Sequence, residues 1–387
     1  RNFVRARETG LAIAGLVIGG LSGILVGLIA NGAQLAHEIL FDLGSEERLS
    51  AQVSLEPVRA LAVPLVGGLV LALLAWLMGA RFKDQMADAI EANALHGGRL
   101  RMGGSLYITL QTFISNACGA SVGLEAAYTQ VCAAISSFLG RGLAARRSDI
   151  RLLVACGAAG AISAAFGAPL AGAFYAFEVV LGAYAVASLV PVMASAMIAK
   201  YVSDFITHRH GPLPVVTEFN APVGAFFGHV IILGALCALG AILLMQAVAL
   251  AERLFAHKKL PPFLRPALGG LIVGGFGLIT PQVLGAGHGA FQLNLTQSVP
   301  LAILAGVLVL KGMASAISLG SGFRGGLFFA SLLIGGLLGR LYADGVTAYT
   351  PFAFPAGLAA IAAMAAFGTG VLGAPISMSV LALETTG

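Results

Sequence analysis

Residues 102–124 form a run of 23 residues without one charged side chain. Five more such runs follow the same rule: 9–36, 60–80, 152–177, 219–251 and 266–310. About 20 apolar residues cross a bilayer as a helix, so each run is long enough for one crossing and the longest for two. Hydrophobic residues make up 58% of the chain and charged residues 10%, where a soluble domain carries about 25% charged. The chain therefore reads as an all-α polytopic membrane protein. Its 52 glycines imply close helix packing through small residues rather than through long leucine faces. Glycine interrupts the apolar pattern around 119–123 and 320–326. Broken helices of this kind are tolerated in a membrane where they are buried or line a cavity. A dozen or more helices, several tilted or incomplete, are expected.

The chain also repeats itself. Residues 166–178 read FGAPLAGAFYAFE and residues 372–384 read LGAPISMSVLALE. Gly, Ala, Pro, Ala and Glu match in register at an offset of 206 residues. Such repeats in an apolar chain mark transporters built from two related halves that hold their substrate where they meet. The expected division is 1–205 and 206–387, two repeat halves of one transmembrane domain joined through 207–223, with no regulatory domain legible. The net charge of +5 points to no nucleic-acid partner. Basic residues gather at Arg1, Arg5 and Arg7, at Arg141 to Arg151, and at Lys258, Lys259 and Arg265, where they read as loops at lipid headgroups. Four cysteines lie in apolar segments without metal spacing, so they read as structural thiols. The first apolar run is too long for a signal peptide and reads as a retained helix. No metal cluster, nucleophile or phosphate loop stands out, and neither a cofactor nor an enzymatic activity is expected.

An ionisable group inside a membrane segment is costly and needs a reason. Glu125 is the sharpest case, lying between charge-free runs of 23 and 15 residues in the stretch NACGASVGLEAAYTQ. A glycine-rich turn there opens a helix near Gly123. Gly123, Leu124 and Glu125 would then sit at backbone N–H groups and the positive end of that helix. Such a site holds an anion without a full opposing charge. A carboxylate at the same place takes the anion's seat, and it leaves when protonated. The alternative is an acid capped by its own helix. The second half has a counterpart, LGSGFRGGLFFAS at 319–331, where Leu327 and Phe328 stand as Leu124 and Glu125 do. Leu139-Gly140-Arg141 and Leu338-Gly339-Arg340 read as matching helix ends. Two helix starts converging from opposite sides would form one dehydrated anion site, with Glu125 as a movable plug and Phe328 as apolar wall.

These motifs resemble the CLC family of chloride channels and proton-coupled anion exchangers. Arg151 to Glu178, Pro281 to His288, and Lys311 through Leu332 are similar to its signatures in family order. The resemblance implies inverted-topology repeats, a homodimer with one anion pathway per subunit, and a bacterial inner membrane location among lipids. It places the family's gating glutamate on Glu125, although the flanking Arg, Gly and Pro of Gly-Arg-Glu-Gly-Pro are absent. The family's Gly-x-Phe-x-Pro falls on Gly326, Leu327 and Phe328 without its proline. The serine that touches the central anion falls on Asp84, beside Lys83. A charged carboxylate about 4 Å from an anion costs roughly 1 kcal/mol in water and several at lower effective dielectric. Protonation of Asp84, pairing with Lys83, a local slip in alignment or a different anion would each relieve it, as would a solvated loop position. Arg324 is a candidate pathway charge or a loop charge. Val179 stands where proton-coupled members carry a second glutamate, and Glu178 and Glu384 read as helix-end structural acids. The family pattern continues past Thr386-Gly387 with further helices and a pore-lining tyrosine.

The expected function is transmembrane anion transport, foremost chloride conduction gated by Glu125. A proton-coupled chloride or fluoride antiporter, using protons as a second partner, is the alternative. A third reading, from a different class, is a CLC-like sensor or scaffold that does not transport.

Overall fold

The computed structural model describes residues 2–45, 47–82, 85–207, 223–257, 260–296, 299–349 and 354–386. Among them the chain forms fifteen α-helices. The first eight are α1 (Asn2–Phe41), α2 (Pro57–Phe82), α3 (Ala89–Leu95), α4 (Met102–Ala117), α5 (Glu125–Gly142), α6 (Arg147–Phe166), α7 (Pro169–Tyr175) and α8 (Val186–Thr207). A π-helical turn, Ala176–Leu181, continues α7. Seven follow: α9 (Val223–Phe255), α10 (Arg265–Ile279), α11 (His288–Thr296), α12 (Leu301–Ser321), α13 (Phe328–Tyr349), α14 (Ala356–Leu372) and α15 (Pro375–Thr386). Eight helices among the described residues are long and apolar enough to cross a membrane.

Burial separates inner helices from lipid-facing ones. The most apolar part of α6 is 78% buried and that of α13 61%, whereas α9 reaches 22% and α2 28%. On the outer helices large apolar side chains face outward, Trp76 at 77% exposure and Ile231 at 72%. That distribution suits a hydrocarbon solvent and no aqueous one.

Small residues set the helix contacts. Gly15, Gly19 and Gly23 recur every fourth residue along α1 and lie on α8, where a methyl at Gly19 would come within 2.7 Å of the Ser195 Cα. Helices that approach this closely gain dispersion contact without needing a hydrophobic drive, which lipid does not supply. α2 and α10 cross in the same manner. Gly68 lies on the Pro266 backbone, Gly274 on that of Ala60, and Gly270 on that of Pro64. These partners obey the 206-residue offset read from the sequence, so the crossing is symmetric about its own centre.

α7 and α15 are tied reciprocally. The Glu178 carboxylate accepts from the backbone N–H of Ile376 (3.3 Å) and Ser377 (2.9 Å) and from the Ser377 hydroxyl (2.6 Å). Glu384 accepts from the N–H of Leu170 (3.0 Å) and Ala171 (2.7 Å). Each acid closes the open first turn of the other helix, whose N–H groups have no partner within the helix.

Some expectations need correction. The run 266–310 takes in two spans, α10 and the first half of α12, and its unexpected part is the short α11 between them. Pro281 opens a 3-10 turn and Pro300 precedes α12, and proline cannot continue a helix ladder. The Leu338-Gly339-Arg340 triplet ends nothing. α13 runs on to Tyr349, because Arg340 pairs with Asp344 one turn later (3.6 Å) and donates to the Asn294 carbonyl. Arg141 is followed instead by Gly142 and by Ala144 at φ 48°, and α5 stops there. Arg5 and Arg7 lie within α1 rather than in a loop. The join at 208–222 and Lys258 and Lys259 fall outside the described residues. All four cysteines are buried free thiols.

Candidate functional site

Two loops meet between the helix starts of α5 and α13. In the first, α4 ends, Gly119 turns at φ 83°, and the Asn116 side-chain amide donates to the Val122 carbonyl (2.9 Å). In the second, α12 ends and Gly322 turns at φ 107°. Only glycine adopts such φ values without strain. Gly123 and Gly326 then pair as an isolated antiparallel bridge, with N–H to carbonyl distances of 2.9 and 3.2 Å. Around that bridge the contacts come in matched pairs. The Ser121 N–H donates to the Ser318 hydroxyl (3.0 Å), and the Arg324 N–H to the Ser115 hydroxyl (2.9 Å). Both pairs are related by the 203-residue shift that maps Glu125 onto Phe328. The two helix starts are thus locked to each other.

Glu125 begins α5 and is 4% exposed. A Cβ on Gly326 would stand 3.7 Å from the Glu125 Oε2 and 3.8 Å from the backbone nitrogens of both Ala126 and Phe328. The carboxylate therefore lies between two helix starts, one from each loop. Its Oε2 has no hydrogen-bond partner. The oxygen rests against Gly123. An unpartnered buried carboxylate oxygen costs about 1–3 kcal/mol or more, so the side chain is only partly held. Leu124, the residue before α5, supplies no side-chain cap, which leaves the first N–H groups to Glu125 or to another anion. Two positive helix ends facing one small space form a seat for negative charge.

The side chains that open the two helices pack among apolar and aromatic neighbours. Leu124 and Leu327 are buried in separate clusters, and their carbonyls accept within their own helices from Tyr128 and Ser331. Phe328 stacks on Phe166 at 4.8 Å between centroids and meets Tyr175 at 6.2 Å. The Phe329 ring carries His288 stacked at 3.7 Å.

Residues 67–387 match the family model for voltage-gated chloride channels. The chain belongs to the CLC family. It is 34% identical over 388 residues to the voltage-gated ClC-type chloride channel ClcB of Escherichia coli O17:K52:H18 (strain UMN026 / ExPEC), spanning 96% of this chain and 90% of the relative. A putative chloride channel protein, ClcB-like, of Ralstonia nicotianae (strain ATCC BAA-1114 / GMI1000) is 35% identical over 390 residues, 97% of this chain and 88% of the relative. The fold is similar to that of a slow cyanobacterial Cl−/H+ antiporter, with TM-score 0.83, 23% identity and coverage of 97% and 89%. It is also similar to a CLC-type fluoride/proton antiporter, with TM-score 0.80, 19% identity and coverage of 98% and 91%. The chain is thus an integral membrane protein of a family of channels and transporters, with CLC-type anion transport as its class of activity.

Within the CLC fold, Gly123 and Gly326 bring Glu125 and the start of α13 together, while Leu124, Leu327 and Phe328 pack into three different apolar clusters. The Arg324 guanidinium reaches toward the Met86 sulfur (4.0 Å), on the segment that follows Asp84. Lys83 and Asp84 lie outside the described residues. Glu178, next to Val179, is committed to the backbone of α15. Sequence reasoning overlooked the serine set, Ser115, Ser121 and Ser318, although the shift that pairs Glu125 with Phe328 also pairs Ser115 with Ser318. Lys311, the first residue of the last signature, also has a place in this region that its sequence neighbours do not announce.

Proposed function

We propose that the protein conducts chloride passively through a CLC-type pathway gated by Glu125. The observation that carries this reading is the Glu125 carboxylate, buried between the starts of α5 and α13 with one oxygen unpartnered. An anion displaces the carboxylate from the seat and binds the same N–H groups; protonated, Glu125 loses its claim on them. Binding to partial charges is weak enough for fast release. The halves 1–205 and 206–387 form two repeats, a division supported by the matched contacts at Gly123–Gly326 and at the α2–α10 crossing. The subunit works as a homodimer in a bacterial inner membrane, each copy with its own pathway, in line with relatives named as chloride channels.

Proton-coupled exchange of chloride or fluoride is the second reading, favoured by a gate that takes up protons. The engagement of Glu178 with α15 and the presence of Val179 beside it speak for the passive mode. The test is chloride efflux from liposomes with simultaneous external pH recording, with and without a protonophore. Efflux that needs an electrical shunt and moves no protons supports conduction. Uphill proton movement overturns it for exchange, and silence with chloride, fluoride and nitrate overturns both.

A further inference from the structure

Lys311 heads the large side chains that are fully buried, at 0% exposure in the middle of α12. Its ammonium donates to the carbonyls of Val283 (3.1 Å) and Gly285 (2.7 Å). Among the described residues no carboxylate pairs with it directly. A buried ammonium without a counter-ion is costly, and two carbonyls are equally served by a neutral donor. The position of the charge gives it a use. The loop it holds is joined to the gate loop, since the Gly285 N–H donates to the Gly119 carbonyl (3.1 Å). Gly287 of that loop packs against Leu333 of α13 and lies beside the Lys311 ammonium. Lys311 therefore stands behind the seat, among the elements that carry both helix starts. Glu125 is the acidic side chain of that seat, and an ammonium so placed acts on it through its field. In a low-dielectric interior such a field reaches the seat without contact.

We propose that Lys311 is a positioning residue whose buried positive charge sets the anion affinity of the Glu125 seat. This rests on reading that seat as the anion site. Lys311 does not touch the ion; it offsets part of the cost of bringing negative charge into a dry space.

The test is calorimetric chloride binding to the purified full chain in detergent, in an E125Q background so that the seat is not contested. K311R keeps the charge. K311Q keeps a hydrogen-bond donor without charge. K311M keeps neither, and replacing a buried charge by an apolar side chain of similar volume is often tolerated, so it serves if K311Q does not fold. The expected result is a chloride affinity at least fivefold weaker in K311Q and K311M, with K311R within twofold of the parent. Parent-like affinity in a folded neutral variant overturns the proposal. So does a K311R variant as weak as K311Q, which marks a role of shape alone. Absence of saturable chloride binding in E125Q itself overturns the seat reading and this inference with it, whereas binding that ignores position 311 overturns this inference alone.

Discussion

Replacing Glu125 by alanine empties the seat while leaving both helix starts in place. A helix start favours a nearby negative charge by about 0.3–1 kcal/mol when exposed and by up to about 2 when partly buried. Two buried starts acting on the Glu125 carboxylate therefore hold it by about 2–4 kcal/mol. Against this stands its unpartnered Oε2, which costs about 1–3 kcal/mol. Taken at mid-range the difference is about 1 kcal/mol, which an arriving anion must overcome in the wild-type protein. At about 1.4 kcal/mol per tenfold, E125A is expected to bind chloride roughly fivefold more tightly. Calorimetric titration of chloride into detergent-solubilised protein reads this directly. Flux in liposomes supplies the sign. Protonation removes the carboxylate's charge and its claim on the seat, so wild-type flux rises as pH falls. Glutamine cannot take up that proton, and E125Q flux is expected to be flat. Unchanged chloride affinity in E125A, or a wild-type pH slope in E125Q, would refute the assignment of Glu125 as occupant of an anion seat.

Two further expectations concern the frame around the seat. E178Q and E384Q each turn one accepting oxygen into a donor that faces a backbone N–H, and each is expected to cost about 1–2 kcal/mol after allowance for partial exposure. Thermal unfolding in detergent measures the loss, and melting at the wild-type temperature in either variant would show that the reciprocal caps do not bind the halves. G270A places a methyl on the Pro64 backbone, which cannot yield as a side chain does, at an expected cost of about 3 kcal/mol. G275A on the same helix faces open space and is expected to be neutral or slightly stabilising from helix propensity. Equal melting of the two variants would count against the tight α2–α10 crossing.

The membrane class and the broken helices were legible because they rest on composition and glycine placement, which act locally. Glu125 was legible for the same reason, since a lone acid after 23 uncharged residues needs no partner to be noticed. What sequence hid was mostly contact between distant residues. Nothing near Ser115 announces that its hydroxyl serves the Arg324 N–H, more than 200 residues away. Lys311 ends a long uncharged run, yet its carbonyl partners come from a loop that only folding brings near. Arg340 misled because the triplet it shares with the Arg141 region ends a helix there. The glycine and the left-handed residue that follow Arg141 make that stop, not the triplet.

The exchanged caps of α7 and α15 also bear on how the protein is made. Glu178 and the N–H groups it accepts from lie 198 and 199 residues apart, and Glu384 and its partners 213 and 214. At about 5–20 residues per second of synthesis, the start of α7 waits roughly 10–40 s in the nascent chain for its acid. The Gly123–Gly326 bridge waits in the same way for its second strand. A half-translated chain therefore has one helix start and no opposing one, and on the proposed reading of Glu125 it has no anion seat either. The pathway comes into being only when the last of its parts leaves the ribosome.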